Sequence, residues 1–459
     1  MNQGMKIGLL PLYIKLYDVR GTNREPMERC LAAVRAMLES GGAEVVAAPV
    51  CRIREEFDQA ADLFEQADVD AVVTFHLAYS PSLEAIDALC RLNRPVIVCD
   101  TTLTYDMSVR MERRDVTFNH GIHGVMDLCN LMRRRGLPYV VEAGHYLHSD
   151  VISRVLSRCR AAAAARAFRR GRIGRMGGAF DGMGDFVRTD EQMRGDFGAE
   201  VVHFSFPEDY AAYPVTEEEI DAELKWDREH YRIEVQNLEN YRAETRMGLV
   251  LRKWCEANKL TACTVNFLGM EQQKMPFLEI SKAISRGLGY AGEGDVLTAN
   301  LVAALMHVYR DVTFTETFCP CWKNGLILLS HMGEMNLSLS RPQPVVVDKA
   351  FTYTPAGDTV AAYGSYRAGS AVLINLAPME DGKYSLILTP VEMLDIARDH
   401  GTYRYEVEGW LRTPLPLETF LQKFSELGGT HHSALVYDVE AAELACFGKL
   451  MGFDVHVLQ

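Results

Sequence analysis

The sequence lacks any uninterrupted apolar stretch near the roughly 18 residues that a membrane-spanning helix needs. Positive charge is also in deficit, since 48 Lys and Arg stand against 62 Asp and Glu, a net charge of −14. We therefore expect neither an anionic membrane surface nor nucleic acid as a partner. The first residues, Met-Asn-Gln-Gly-Met-Lys, lead into a strand pattern without a signal peptide. A cytoplasmic location is expected.

A disulfide framework is not indicated either, because the 11 cysteines are odd in number and most lie in apolar segments. Cys99 and Cys263 are typical of reduced core thiols in a cytosolic protein. Cys319-Pro-Cys321 differs, but no second Cys pair at zinc-ribbon spacing accompanies it. Two interpretations stay open for Cys319 and Cys321: thiolate ligands of a metal, or ordinary strand residues.

Nucleotide-binding signatures are missing as well. The segment Gly177-Gly-Ala-Phe-Asp-Gly-Met-Gly184 resembles a phosphate loop only loosely, with neither G-x-G-x-x-G nor a Walker motif. We interpret it as a glycine-rich turn between two elements.

What the chain does contain is a regular alternation of apolar strands and amphipathic helices over its first two thirds. Such alternation predicts parallel sheets covered by helices on both faces. After residue 311 strands dominate, and helices return only near the end. We predict two parallel-sheet α/β domains, residues 1–170 and 171–310, followed by a β-rich C-terminal domain, residues 311–459.

Glu316 lies on the wrong face of a predicted strand. Val312, Phe314 and Phe318 alternate along one face, and Glu316 occupies the same face where an apolar residue is expected. Asn324-Gly325 then predicts a tight hairpin turn. Centred on that dipeptide, the register pairs Phe318 with His331 and places Glu316 diagonally from His331. Two interpretations stay open: a metal shared by Glu316 and His331, or a hydrogen bond that settles a buried carboxylate.

Two further motifs carry candidate ligands. Glu293, in Gly292-Glu-Gly-Asp295, precedes a helix whose N-cap is predicted to be Asp295. The helix dipole there favours an ionised Glu293, whereas Glu316 is expected to be the more desolvated of the two. The turn Gly428-Gly-Thr-His-His432 delivers two adjacent histidines to a strand. The alternative for Glu293 is a capping acid in an ordinary loop. The alternative for the two histidines is one core residue and one exposed residue.

These motifs together resemble the bacterial L-arabinose isomerase family. The likeness is carried by Ala291-Gly-Glu-Gly-Asp295, Ser330-His-Met332 and Gly428-Gly-Thr-His-His-Ser433 in this order, and it extends over most of the chain. It implies the L-fucose/L-arabinose isomerase fold and the interconversion of aldoses and ketoses through a cis-enediol.

The resemblance also implies a metal centre. Its ligands would be Glu293, Glu316, His331 and one of the terminal pair, with His432 favoured over His431. Mn²⁺ is the expected ion, with Co²⁺, Fe²⁺ or Zn²⁺ as substitutes. Glu293 and Glu316 would share the proton transfers, in roles left unassigned.

The resemblance implies a homotrimer or homohexamer too, in which the N-terminal unit of one subunit closes the site of the next. His123, together with Tyr13 and His76, would then bind the sugar beside a neighbour's metal.

Departures from the family fall where the sugar pocket is expected. The segment after Glu316 reads Thr317-Phe-Cys-Pro-Cys-Trp322, so Phe318 and Trp322 become candidate substrate contacts. The first loop, Pro11–Tyr17, and Gly333–Asn336 also differ. We therefore predict an isomerase with an altered substrate. The alternatives are an epimerase or lyase on a sugar or sugar acid, and a non-catalytic carbohydrate-binding protein.

Overall fold

The computed structural model describes residues 4–109, 111–396 and 407–459, without the side chains of residues 113 and 114. The chain divides into two compact units, one within residues 3–166 and one within residues 167–459. Across these described ranges, no helix combines the length and apolar character needed to cross a membrane.

The unit within residues 3–166 is built on a five-stranded parallel sheet of order β2-β1-β3-β4-β5. In chain order its elements are β1 (Lys6–Leu12), α1 (Lys15–Val19), α2 (Glu25–Ser40), β2 (Glu44–Ala47), α3 (Arg54–Gln66), β3 (Ala71–His76), α4 (Ser82–Leu92), β4 (Val96–Asp100), α5 (Arg113–Phe118), α6 (Gly121–Arg135), β5 (Tyr139–Ala143) and α7 (Val151–Arg169), which runs past its end. Apolar side chains from the strands pack against α3, α4 and α6. The predicted helix-covered parallel sheet is confirmed.

The second unit opens with a four-stranded parallel sheet of order β10-β9-β6-β7. In chain order this part contains β6 (Arg172–Met176), α8 (Asp190–Phe197), β7 (Glu200–Phe204), α9 (Glu208–Ala212), α10 (Glu217–His230), β8 (Arg232–Ile233), α11 (Leu238–Ala257), β9 (Ala262–Val265), α12 (Phe277–Ser285), β10 (Gly289–Gly292) and α13 (Val296–Val308). The charged segment 216–258 forms the two helices α10 and α11, which begin after the N-caps Thr216 and Asn237.

The C-terminal part is mainly antiparallel. Its elements are β11 (Val312–Cys321), β12 (Leu326–Ser330), β13 (Val345–Lys349), β14 (Thr359–Tyr363), β15 (Gly369–Pro378), β16 (Tyr384–Leu394), β17 (Gly409–Arg412), α14 (Leu417–Glu426), β18 (His432–Tyr437), α15 (Ala441–Met451) and β19 (Asp454–Val457). The sheet runs β15-β18-β11-β12-β17-β16-β19, and an added β15–β16 pairing closes it into a barrel. Strands β14, β13 and β8 form a separate sheet. The predicted β-rich region is confirmed.

The register predicted for the β11–β12 hairpin is wrong. Glu316 pairs with Ser330, not diagonally with His331, and Cys321 pairs with Leu326. Two features shift the register: the turn has four residues, Trp322–Gly325, and a bulge at Phe318 inserts one residue into β11. On its other side Glu316 pairs with His432 of β18. The bulge therefore sets which residues flank the carboxylate.

Candidate metal centre

Glu293 stands in a tight turn between β10 and α13. Its φ of +62° is in the left-handed region, which costs a non-glycine residue of order 1 kcal/mol or more and is frequent at functional sites. The turn is held by Thr264, whose hydroxyl donates to the Gly292 carbonyl (3.2 Å) and accepts from the Gly294 N–H (2.9 Å). The Glu293 N–H also donates to the Val265 carbonyl (3.0 Å). A fixed backbone thus presents this carboxylate.

His432 is oriented by Asp295. One carboxylate oxygen of Asp295 caps α13 by accepting from the Thr298 N–H (2.9 Å), and the other lies 3.0 Å from His432 Nδ1. Both side chains are fully buried. The second ring nitrogen, His432 Nε2, lies 3.6 Å from Glu293 Oε2 and has no hydrogen-bond partner. The Phe186 ring stacks on the imidazole at 4.7 Å.

His331 is oriented in the same way. Its Nδ1 lies 2.7 Å from Glu334 Oε2, and the other Glu334 oxygen accepts from the Tyr290 hydroxyl (2.9 Å). All three side chains are buried. Burial lowers the pKa of His331, but the Glu334 carboxylate outweighs this and raises it. The ring packs so closely on Gly292 that a Cβ there would lie 2.9 Å from His331 Nε2.

His431 repeats the arrangement at the edge of the site. Its Nδ1 lies 2.6 Å from Asp185 Oδ2, and its Nε2 lies 3.8 Å from Glu293 Oε2. Burial lowers the pKa of His431, yet Asp185 and Glu293 raise it to about 10. Burial likewise raises the pKa of Glu293, but the facing His431 and His432 imidazoles hold it well below its usual range.

The side chains present fit a divalent metal. One ligand atom each from Glu293, His431 and His432 lies within 4.8 Å of the other two. The buried His432 Nε2 without a partner is a polar atom that a cation would satisfy. Carboxylate oxygen with imidazole nitrogen is a donor set that suits Mn²⁺ and its first-row neighbours.

Glu316 lies beside this group through the sheet register, opposite His432. Its side chain is half-buried, whereas Glu293 is only 9% exposed. The expectation that Glu316 is the more desolvated carboxylate is therefore wrong. The reason is local: β11 leaves the barrel interior at this point, and the residues that follow Thr317 become exposed.

The remaining predicted site residues are dispersed. Phe318 forms the bulge and is 48% exposed, and Trp322 lies in the hairpin turn at 60% exposure. Cys319 and Cys321 are absent from the one ligand group found among the described residues. Three other residues belong to the unit within residues 3–166: Tyr13 and His76 are buried there, and His123 is exposed and bonds His120 (2.9 Å).

Sequence reasoning missed the acids that orient the histidines. Asp295 was expected only as a cap, and Glu334 only as part of a divergent segment. Asp185 and Tyr290 were not singled out. The signal available for Glu334 is its position three residues after His331; no local pattern joins Asp185 to His431, since 246 residues separate them.

The fold and the site define an α/β protein with a carboxylate–imidazole centre between a parallel sheet and a closed antiparallel barrel. Residues 184–311 match the family model described as the L-arabinose isomerase central domain, and residues 311–454 match the L-arabinose isomerase C-terminal domain. Together the two models cover more than half of the sequence, and the chain belongs to the L-arabinose isomerase family.

Full-length relatives agree with this assignment. The chain is 24% identical to L-arabinose isomerase 1 of Bacillus licheniformis over 88% of this chain and 84% of that protein. Identity to the L-arabinose isomerase of Shouchella clausii is 24%, over 93% and 89% respectively. For the Geobacillus kaustophilus L-arabinose isomerase it is 26%, over 84% and 80%. The predicted family is confirmed for a divergent member, and so is the enzyme class, an aldose–ketose isomerase.

Proposed function

We propose that this protein is a divalent-metal-dependent aldose–ketose isomerase that acts on a neutral sugar through an enediol. The observation that carries the proposal is the arrangement around Glu293. Three imidazoles are each tied through Nδ1 to a carboxylate, and two of them direct Nε2 at the Glu293 carboxylate. Carboxylate-oriented histidines are the usual surroundings of a protein metal site.

The ligands in this proposal are Glu293, Glu316, His331 and His432. His432 is chosen over His431 because its Nε2 is buried and unpartnered, whereas His431 is partly exposed. When bound, a divalent cation would supply Lewis-acid polarisation of the sugar carbonyl and would help to orient the sugar. Mn²⁺ is the proposed ion.

Glu293 and Glu316 divide the proton transfers. One takes the proton from C2 of the aldose and returns it to C1, and the other moves a proton between the two oxygens. Glu293 is held ionised by the facing imidazoles, so it can start the cycle as a base. Glu316 is half-buried at the edge of the barrel, where a substrate can reach its carboxylate.

Charge supports a neutral substrate over a sugar acid. Among the described residues, no Lys or Arg forms an ion pair with Glu293, Asp185, Asp295 or Glu334. A substrate carboxylate would have to approach this set of acids, which is unfavourable. The epimerase or lyase on a sugar acid is thus the weaker candidate.

The proposed function also includes the substrate contacts, the oligomeric state and the cellular location. Phe318 and Trp322 are exposed and fall where this chain departs from the family, so we propose them as substrate contacts for a sugar other than L-arabinose. A homotrimer or homohexamer would allow Tyr13, His76 and His123 to bind the sugar at a neighbour's centre. All 11 cysteines are free thiols, which agrees with a cytoplasmic location.

The test compares Glu293→Gln with Glu239→Gln, an exposed glutamate on α11. Each protein is stripped of metal, titrated with Mn²⁺ in a thermal-shift assay, and incubated with a panel of aldoses and ketoses in D₂O. Wild type and Glu239→Gln should gain thermal stability and place deuterium at C1 or C2 of one sugar. Glu293→Gln should do neither. Equal Mn²⁺ stabilisation of both variants would sink the assignment of the centre.

A further inference from the structure

Residues 177–188, here called the strap, connect β6 to α8 and run along the candidate metal centre. Positive φ values at Gly177, Gly178 and Gly182 let the backbone turn repeatedly within this short segment. The strap is the same glycine-rich segment that looked like an ordinary turn in the sequence. Its position beside the centre gives it a more specific role.

The first half of the strap is bonded to the Glu293 turn. The Phe180 N–H donates to the Glu293 carbonyl (3.1 Å). Gly178 packs against Gly294 so closely that a Cβ on Gly294 would lie 2.4 Å from the Gly178 carbonyl oxygen. Backbone contacts of this kind fix where the strap lies relative to the carboxylate.

The second half of the strap contacts both terminal histidines. Asp185 Oδ2 accepts from the His431 backbone N–H (3.2 Å) and lies 2.6 Å from His431 Nδ1. The next residue, Phe186, is 1% exposed and stacks on the His432 ring at an interplanar angle of 12°. One dipeptide of the strap therefore touches the backbone and ring of one histidine and the face of the other.

Asp185 differs from the other acids that orient histidines. Asp295 and Glu334 are buried within the barrel and parallel-sheet elements, while the Asp185 side chain is 38% exposed and is carried by the strap. The Asp185 carboxylate makes two hydrogen bonds with His431, and the His431 Nε2 is thereby directed at Glu293. The orientation of this ring thus depends on the strap and not only on the barrel.

We propose that Asp185 is a positioning residue, which holds His431 toward Glu293 and couples the strap to the metal centre. The expected effect of Asp185 on Mn²⁺ binding and turnover rests on the proposed function. The contact itself, between Asp185 and His431, is given by the structure independently of that function.

The experiment uses the full chain with Asp185→Asn, His431→Gln and the double variant, and with Asp181→Asn as the matched control. Asp181 lies on the same strap, is exposed, and has no side-chain bond among the described contacts. Amide hydrogen exchange of the metal-free proteins is followed in peptides covering 177–188 and 428–433. Mn²⁺ affinity and deuterium transfer to the sugar are then measured.

We expect faster exchange in both peptides for Asp185→Asn but not for Asp181→Asn. Mn²⁺ affinity or turnover should fall, by up to about 10-fold to 100-fold, the range found for outer-shell partners of a metal site. In the double-mutant cycle, Asp185→Asn should add little once His431 is replaced, because it acts through that ring.

Three results would overturn the inference: exchange in Asp185→Asn equal to that in Asp181→Asn, faster exchange without any change in Mn²⁺ affinity or turnover, or additive effects in the cycle. If wild type neither binds Mn²⁺ nor transfers deuterium, the proposed function has failed. The exchange comparison then still decides whether Asp185 holds His431. If Asp185→Asn does not fold, Asp185→Glu must retain protection and affinity closer to wild type than Asp185→Ala.

Discussion

At the scale of residues, the candidate metal centre is organised by acids that orient its histidines and need not contact a metal or a sugar themselves. Each histidine has one nitrogen committed to a carboxylate: His331 to Glu334, His432 to Asp295 and His431 to Asp185. The commitment fixes which nitrogen is free and where it points. Catalytic geometry here is therefore a property of pairs of residues.

Tyr290→Phe tests the deepest of these pairs. The hydroxyl donates to Glu334 (2.9 Å) inside the protein, and removing it leaves a buried carboxylate oxygen without that partner. We expect a loss of about 1.5–3 kcal/mol in the free energy of unfolding, typical of a hydrogen bond to a charged group. Mn²⁺ affinity should also fall, because Glu334 then holds His331 less firmly. Urea unfolding and Mn²⁺ titration measure the two effects.

Tyr353→Phe is the matched control, since Tyr353 is 59% exposed. It should change neither quantity. A Tyr290→Phe protein that binds Mn²⁺ as wild type does would show that the Tyr290 hydroxyl has no part in positioning His331.

At the scale of elements, the turn from β10 to α13 could be predicted in part. The sequence correctly indicated Asp295 as the N-cap of α13, because a polar cap followed by an apolar helix is a local signal. The turn's close packing against His331 could not be predicted, because Gly292 and His331 are brought together only by the assembled sheet and barrel.

Gly292→Ala tests this packing. The added Cβ would lie 2.6 Å from His331 Cε1, so the ring must move. We expect a stability cost of about 1–3 kcal/mol from overpacking and a fall of at least several-fold in Mn²⁺ affinity, measured by urea unfolding and metal titration. Gly195→Ala, in α8 with open space around it, should be neutral or slightly stabilising. Similar behaviour of the two variants would contradict the close contact.

The register of the β11–β12 hairpin could not be predicted from the local sequence. Asn324-Gly325 does lie in the turn, and both strands exist as predicted. The register nevertheless shifted by three residues through a longer turn and the Phe318 bulge. Bulges depend on how a strand packs in the finished barrel, so a short sequence does not specify them. The same barrel placed His432 opposite Glu316, which the hairpin alone had no means to indicate.

At the scale of the whole molecule, the alternation of strands and helices was enough to predict the fold class. Parallel strands are usually joined by helical crossovers, so the hydrophobic pattern of the chain alternates between strand and helix periodicity. The buried charges are another matter. Lys282 of α12 lies among Glu223, Asp227 and Glu279, a cluster that joins the two helices α10 and α12 and leaves no motif in the sequence.

Acid should affect the two units in different pH ranges. Burial lowers the pKa of His76, in the unit within residues 3–166, to about 4 from an ordinary value near 6.5. Its neutral form thus stabilises that unit above about pH 6.5, and the contribution, about 3 kcal/mol, is lost as the pH falls to 4. In the other unit, burial raises the pKa of Glu223, but Arg252 and Lys282 lower it to about 2. That contribution is complete above about pH 4.5 and is lost only toward pH 2.

The distribution of tryptophan makes this order measurable. All 4 tryptophans, Trp226, Trp254, Trp322 and Trp410, lie within residues 167–459. We expect far-UV circular dichroism, which reports both units, to change between pH 6.5 and 4 in mild urea, before tryptophan fluorescence responds. His76→Gln should remove most of this early step, because no group there must then take up a proton. His148→Gln, an exposed histidine of the same unit, should keep it. If the two probes change at the same pH in wild type, the two units unfold together. His76 then does not determine the pH at which its own unit unfolds.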